Sequence, residues 1–348
     1  MKPVSTSSVK LLDCSLRDGS HVNKGFFGER TISNVIAGLT QAHIEVIEVG
    51  FLMDGSFDRD QSYFDSIEEA QRYIPGEIGA LASCPSYAVM ARVGSFSFSG
   101  LKARSGPINT VRIAFRPQDT KDALRSAQVA HGLGYSVHLN PVHTPGYRLD
   151  EISALVESFN LLSLDAFSVV DTYGVLNPES LATLICHVDS HLDPRSAIGV
   201  HLHENLGLSL AMATKAVSLS QDLNRSTSID ASLSGIGRIP GNLPLELIAQ
   251  HLNLALEMRY DLPLILRLIS TEIEIFSRSA PWGYSPPYGV SASFGLDRSF
   301  PEFFLEQGLD NLGDIFLACE WIANRERTSE FSEATALAAI AYAKLEGC

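Results

Sequence analysis

Residues 166–203 read AFSVVDTYGVLNPESLATLICHVDSHLDPRSAIGVHLH, two short β-branched apolar runs separated by a stretch at helical spacing. The first run, 166–171, and the second, 197–203, have strand length and composition, and 178–192 has the period of an amphipathic helix. Pro178 stands where a helix begins, because its fixed φ suits the first helical position and its missing N–H is not needed there. Two strands joined through a helix run parallel, since antiparallel neighbours need only a short turn.

The same unit repeats outward in both directions. Strands are expected at 11–15, 45–50, 77–83, 110–115, 135–141 and 226–232, and helices at 29–42, 62–73, 118–133, 148–162, 208–220 and 243–258. Eight alternating strands and helices imply an α/β protein whose sheet closes into a (β/α)8 TIM barrel. An open doubly wound sheet is the competing architecture, but no GxGxxG follows the first strand, so its dinucleotide-binding version lacks its main signal. Strand signals stop near residue 260, and helical patterns follow at 262–278, 310–324 and 329–346. The expected division is a barrel over 1–260 and a helical C-terminal extension over 261–348. Within the extension, WGYSPPYGVSASFGLDRSF (282–300) has the composition of an ordered loop crossing the barrel mouth.

Composition narrows the function classes. The 348 residues are 45% hydrophobic and 19% charged, as in a globular protein, with a formal charge of −14. Such a surface repels nucleic acid and anionic membranes, and an anionic small substrate needs a locally positive pocket. No apolar run has the length of a bilayer span, and MKPVSTSSVK at the start has no secretory apolar stretch, so a cytoplasmic location is expected. The five cysteines (14, 84, 186, 319 and 348) are scattered and never spaced CxxC, which suggests reduced, mostly structural thiols.

Catalytic groups of such barrels sit at the C-terminal strand ends. There the sequence places Arg17, Asp18 and His21 after strand 1, Glu48 on strand 2, His138 and Asn140 on strand 5, Asp171 and Thr172 on strand 6, and His201 and His203 on strand 7. Residues two apart on a strand point the same way, so His201 and His203 can ligate one ion. With Asp18 as the carboxylate they form a two-histidine, one-carboxylate set, suited to an octahedral divalent metal with positions open for substrate.

LDCSLRDGSH, IEVGF, VVDTYG, HLHENLGLSLA and DASLSGIGRIPGN together resemble the HMG-CoA-lyase-like metal-dependent barrel superfamily. Ser20-His21 after the RDG triplet, where the condensing synthases carry Glu-Gln, resembles the 4-hydroxy-2-oxoacid aldolase branch. The resemblance implies a class II aldolase that makes or cleaves a 4-hydroxy-2-oxo acid from a 2-oxo acid such as pyruvate and an aldehyde. It assigns the metal to Asp18, His201 and His203, with Mn²⁺ first and Mg²⁺ or Co²⁺ as alternatives. Arg17 would hold the 2-oxo oxygen, His21 would act as base, Glu48 would orient Arg17, and Thr172 would bind the substrate carboxylate. Asn242 resembles an asparagine that joins the metal sphere in HMG-CoA lyase, yet a turn role is equally consistent with its Gly-rich neighbours. The aldolases place a catalytic tyrosine where this chain has Ser291, so Tyr288 or Tyr284 is the expected substitute. His138 and His143 are expected to be structural or solvent-facing rather than pocket-lining. A homodimer through the C-terminal helices is the expected assembly, and the resemblance also raises an aldehyde dehydrogenase partner. The competing activity is a Claisen-type acyltransferase joining acyl-CoA to a 2-oxo acid, and a noncatalytic barrel is a third reading.

Overall fold

The computed structural model describes residues 9–55, 57–76, 85–325 and 330–346. Among them, eight parallel strands form a closed ring: β1 Val9–Asp13, β2 Val46–Leu52, β3 Ser86–Arg92, β4 Ile108–Phe115, β5 Ser136–Pro141, β6 Ala166–Val170, β7 Ala197–His201 and β8 Thr227–Ala231. Each strand pairs with the next, and β1 pairs with both β8 and β2, so the sheet has no free edge. Closure matters because an open strand edge exposes unpaired backbone groups. The fold is the expected (β/α)8 barrel followed by C-terminal helices.

The expected strand at 77–83 lies outside the described residues. The ring's third strand is Ser86–Arg92, with Tyr87 through Ala91 buried, and it supplies the pairing for both β2 and β4. The expected helix over 62–73 is reduced to Ile67–Ala70 and one 3₁₀ turn, Gln71–Tyr73. Two local effects shorten it. Tyr63 and Phe64 pair with Phe51 and Leu52 of β2, and Pro75 holds Ile74 in an extended conformation that ends the helix.

Helices α1 Glu29–Gln41, α2 Thr120–Gly132, α3 Leu149–Leu161, α4 Pro178–His191 and α6 Leu245–Ala255 lie in the intervals where the sequence places them, and α5 Ser209–Leu223 runs three residues past its expected end at 220. The start of α4 shows the local reason. Asn177 accepts hydrogen bonds from the backbone N–H of Glu179 and Ser180 at 3.1 and 2.9 Å, ahead of Pro178; such a cap stabilises a helix by about 1 kcal/mol. Buried Leu181, Leu184, Ile185 and Val188 then form the face turned to the barrel.

In the extension, the helix expected over 262–278 is interrupted. α7 Leu262–Leu268 passes through a π segment, Ile269–Ile273, into a single turn, Glu274–Ser277. Residues 282–300 are loop interrupted by helix: α8 Pro286–Ser293 begins on paired prolines, and α9 starts at Ser299 and runs to Glu306. The segment still reaches the barrel mouth, because Trp282 Nε1 donates to Ser234 O at 2.6 Å and Arg298 Nη1 to Ile239 O at 2.8 Å. Packing divides after α7. Ile265, Leu268 and Ile273 join the barrel's core, whereas α9, α10 Leu312–Ala323 and α11 Glu333–Glu346 enclose a second core around Phe300, Phe304, Ile315 and Ile340. Among the described residues, no helix is long and apolar enough to cross a membrane.

Candidate metal centre and active site

Asp13 ends β1 by folding its carboxylate onto the next turn, accepting from Ser15 N at 3.0 Å and Ser15 Oγ at 2.7 Å. The chain beyond is therefore not strand but two single helical turns, Ser15–Asp18 and Ser20–Asn23, which set Arg17, Asp18 and His21 at the mouth. Arg17 and Asp18 are buried and paired through Arg17 Nη1 and Asp18 Oδ1. Arg17 Nε donates to Glu48 Oε2 at 2.7 Å, and its guanidinium lies 5.9 Å from the Phe51 ring centroid. Nε and Nη1 are thus committed, and among the described residues Nη2 has no hydrogen-bond partner.

His201 is the last residue of β7, and His203 follows in a bridge opposite Asn242. One nitrogen of each ring is already engaged: His201 Nδ1 lies 3.1 Å from Asp230 Oδ2, and His203 Nδ1 lies 2.9 Å from Asp171 O. Nε2 is left free to ligate in both, the arrangement of metal-bound histidines oriented by a second hydrogen bond. Ligand atoms of Asp18, His201 and His203 lie within 4.8 Å of one another. Asp18 Oδ2 is buried without a hydrogen-bond partner and sits 3.8 Å from His203 Nε2. A buried carboxylate oxygen left unpaired is costly, and a bound cation would satisfy it. The donor set therefore fits a divalent metal.

Protonation states agree with that fit. Burial alone would raise the Asp18 carboxyl, but Arg17 and the surrounding histidines hold it well below the usual carboxylate range. Burial, reinforced by His201, lowers His203 to about 4, which keeps its imidazole neutral. Asn242 is buried beside these groups: Nδ2 donates to Ile236 O at 3.0 Å while Oδ1 has no partner. It is thus a further oxygen available to the centre. Gly237 keeps this corner open, since a Cβ there would lie 2.3 Å from Asn242 Nδ2 and 2.7 Å from Asp18 Oδ2.

Sequence reading missed what lies beneath. Arg112 on β4 is fully buried inside the ring and contacts Glu48 Oε1 at 3.2 Å, Asn140 Oδ1 at 3.0 Å and Asp230 Oδ2 at 2.5 Å. It joins Glu48, which holds Arg17, to Asp230, which holds His201. The available signal was a charged residue inside the apolar run TVRIAF, where period-2 alternation puts Arg112 on the same face as Thr110 and Ala114. Asn205 was missed as well; it is buried against Gly174, and both of its side-chain polar atoms lack partners.

His21 Nε2 lies 3.9 Å from Asp18 Oδ1, with a side chain 39% exposed at the mouth. Burial, together with the guanidiniums of Arg238, Arg17 and Arg92, lowers its pKa against the pull of Asp18. Thr172 Oγ1 accepts from His143 N at 2.7 Å, so its own hydroxyl hydrogen remains to donate, and His143 stacks on Tyr173 at 3.8 Å. Tyr288 is buried on α8, and its charged neighbours are Glu302, Arg238 and Glu306 rather than Asp18, His201 and His203. Tyr284 is exposed beside Gly289, and Ser291 Oγ donates within its own turn to Leu296 O and Asp297 O. His138 points away from this site, into a cavity of about 360 Å³ at the strand starts, lined also by Lys10, Thr110 and Ser228. Cys14, one residue beyond β1, is buried and donates Sγ–H to Ala231 O at 3.3 Å.

The HMGL-like family model matches residues 8–271. A 4-hydroxy-2-oxovalerate aldolase of Chloroflexus aggregans is 28% identical over 261 residues, covering 70% of this chain and 69% of its own length. A protein of the same name from Pseudoalteromonas translucida is 24% identical over 294 residues, covering 80% and 81%. Among solved structures, the N-terminal domain described as an aldolase from Bacteroides vulgatus has a TM-score of 0.73 at 21% identity, over 87% of this chain and 97% of that one. The HMG-CoA lyase of Brucella melitensis has a TM-score of 0.61 at 16% identity, over 79% and 99%; at such identities the likeness is one of fold. With more than half its length matched to one family model, and with the barrel and strand-end residues described above, the chain belongs to the HMGL-like family.

Proposed function

We propose that this HMGL-like carbon–carbon lyase is a divalent-metal-dependent class II aldolase that makes or cleaves a 4-hydroxy-2-oxo acid, joining the enolate of pyruvate or a related 2-oxo acid to an aldehyde. The observation that carries this reading is the convergence of Asp18, His201 and His203 within 4.8 Å, beside the buried Arg17. Held there, a divalent cation, Mn²⁺ before Mg²⁺ or Co²⁺, supplies Lewis acidity at the 2-oxo group.

The protein's own groups do the rest. Arg17, fixed through Nε and Nη1, presents Nη2 to the 2-oxo oxygen, where negative charge grows as the enolate forms. Glu48 keeps that guanidinium in place, because a charge-assisted bond at 2.7 Å restricts its rotation. Thr172 donates its hydroxyl to the substrate carboxylate. His21, neutral because its pKa is lowered, takes the C4 hydroxyl proton as the C3–C4 bond breaks and returns it in the reverse direction. Tyr288, whose hydroxyl burial and Glu302 push up to about 12, stays protonated and serves as a donor at the aldehyde end. The reading takes the catalytic barrel as 1–260 and the extension as 261–348, with a homodimer supported by exposed Leu312, Phe316 and Leu337 on the extension.

Enolate formation is tested by proton NMR of pyruvate in D₂O with Mn²⁺. Loss of the methyl signal that stops on chelation is expected. A methyl signal that persists with metal present would remove the enolate chemistry.

A further inference from the structure

A chain with a formal charge of −14 carries three further arginines on the rim of the same mouth. Arg92 is the last residue of β3, Arg116 follows β4 directly, and Arg238 lies in the segment joining β8 to α6. All three are exposed, and among the described residues none has an ion-pair partner within 4.0 Å. Other exposed arginines divide: Arg125, Arg148 and Arg195 hold Asp122, Asp150 and Asp193 at 3.0, 2.8 and 2.9 Å, whereas Arg30, Arg59 and Arg267 are scattered over the surface with no such pair among the described residues. The rim arginines also act on one another, since Arg116 and Arg238 both lower the pKa of Arg92, after burial.

The facing carboxylates do not cancel this charge. Asp119 faces Arg92 and Glu302 faces Arg238, neither within ion-pair distance of that arginine, and Glu302 is already paired with Arg298 at 3.2 Å. Asp297 caps Ser299 N at 2.8 Å. The charges of Arg17 are met by Asp18 and Glu48. Position gives the remaining guanidiniums a use. In an eight-stranded ring, β3 and β4 stand opposite β7 and β8, so Arg92 and Arg116 lie across the mouth from His201 and His203. A 2-oxo acid held at the wall of Asp18, His201 and His203 therefore has these two guanidiniums on the opposite side of the mouth.

We propose that the mouth selects an aldehyde bearing its own anionic group, a carboxylate or a phosphate, which Arg92, Arg116 and Arg238 hold while the 2-oxo acid occupies the wall of Asp18, His201 and His203. The inference rests on the aldolase reading and adds the substrate class. Guanidiniums pair with either oxyanion through parallel N–H donors, and the metal-bound half of the reaction offers nothing for such a group.

The test compares kcat/KM for addition of pyruvate to matched aldehydes with Mn²⁺ present: succinic semialdehyde against butanal, and glyceraldehyde 3-phosphate against glyceraldehyde. An anionic preference of at least about tenfold is expected, collapsing in the Arg92→Gln/Arg116→Gln double variant. The larger of the two preferences identifies carboxylate or phosphate as the source. Equal rates for charged and neutral aldehydes, or a preference unaltered in the double variant, would overturn the proposal. Methyl exchange of pyruvate without aldehyde separates the two readings, because exchange with no anionic preference sinks only the substrate class. Titration calorimetry with inorganic phosphate and with succinate decides the matter without turnover. Binding weakened at least about tenfold in the double variant supports the site, and equal or absent binding in both proteins refutes it.

Discussion

Asp230 holds His201 Nδ1 at 3.1 Å while its same oxygen receives Arg112 Nη2 at 2.5 Å. One carboxylate thus orients an imidazole of the candidate metal centre and is itself fixed by a cation buried in the barrel. Burial would raise the Asp230 carboxyl, but Arg112 and then His201 hold it at about 2, so it stays ionised as an acceptor. Asp230→Asn is expected to weaken Mn²⁺ binding by about 10- to 100-fold, the usual effect of removing such a support. Calorimetric titration of metal-free protein measures this directly, and an unchanged affinity would remove Asp230 from the centre.

Gly237 is a steric prediction. A methyl group there meets Asn242 Nδ2 at 2.3 Å and Asp18 Oδ2 at 2.7 Å, closer than real Cβ contacts. Gly237→Ala should fold, because the clash falls on side chains at the mouth, yet bind Mn²⁺ at least about tenfold more weakly, the effect of moving one ligand out of place. Native metal affinity in a folded Gly237→Ala protein would mean that Asp18 Oδ2 does not contribute.

The proposed base and one proposed ligand are both histidines, in different surroundings. His21 is half exposed and only 3.9 Å from the Asp18 oxygen already paired with Arg17, whereas His201 is buried and tied to Asp230. His21→Ala should lower turnover by about 100-fold or more with metal retained, and His201→Ala should lose metal and turnover together. Metal content by elemental analysis beside rates checks both, and equal metal loss in the two variants would undo the assignment.

Asp13 gives a pH signature of stability. Full burial pushes its carboxyl from 3.8 up to about 7, although Ser15 donates to both oxygens. The folded chain therefore keeps a proton that the unfolded chain releases near its ordinary value. Stability from this group is complete below that value and is lost as pH rises through about 7. Asp13→Asn, neutral throughout, should flatten the decline in urea midpoint between about pH 5 and 8, a difference on the order of 1–4 kcal/mol. Parallel profiles for the two proteins would contradict the raised value.

Much of the fold was legible because strand and helix periods differ, and the βαβ unit from 166 to 203 shows both within one segment. The third strand was not: the run expected as strand, 77–83, lies outside the described residues, and Ser86–Arg92 shows its place only through its pairing with both β2 and β4. The helices over 282–300 were obscured by their Pro, Gly and Ser content, which is loop-like in composition although Pro286 and Pro287 begin a helix. At the site, Arg17, Asp18, His201 and His203 stood out because strand ends collect chemistry. Arg112 and Asp230 did not: their partners Glu48, Asn140 and His201 come from three other strands, and only the closed ring brings them together. Tyr288 was placed near the mouth by chain proximity, and its neighbours Glu302 and Arg238 come from folding of the extension over the loop after β8.

The most direct test of the central claim is pyruvate release from 4-hydroxy-2-oxo acids of graded chain length, in metal-free protein and after Mn²⁺ is restored, with thiol release from acyl-CoA and a 2-oxo acid followed in parallel. Pyruvate is expected to appear with Mn²⁺, to disappear on chelation, and to be unaccompanied by thiol. Thiol release without pyruvate would contradict that claim and assign the centre to acyl transfer.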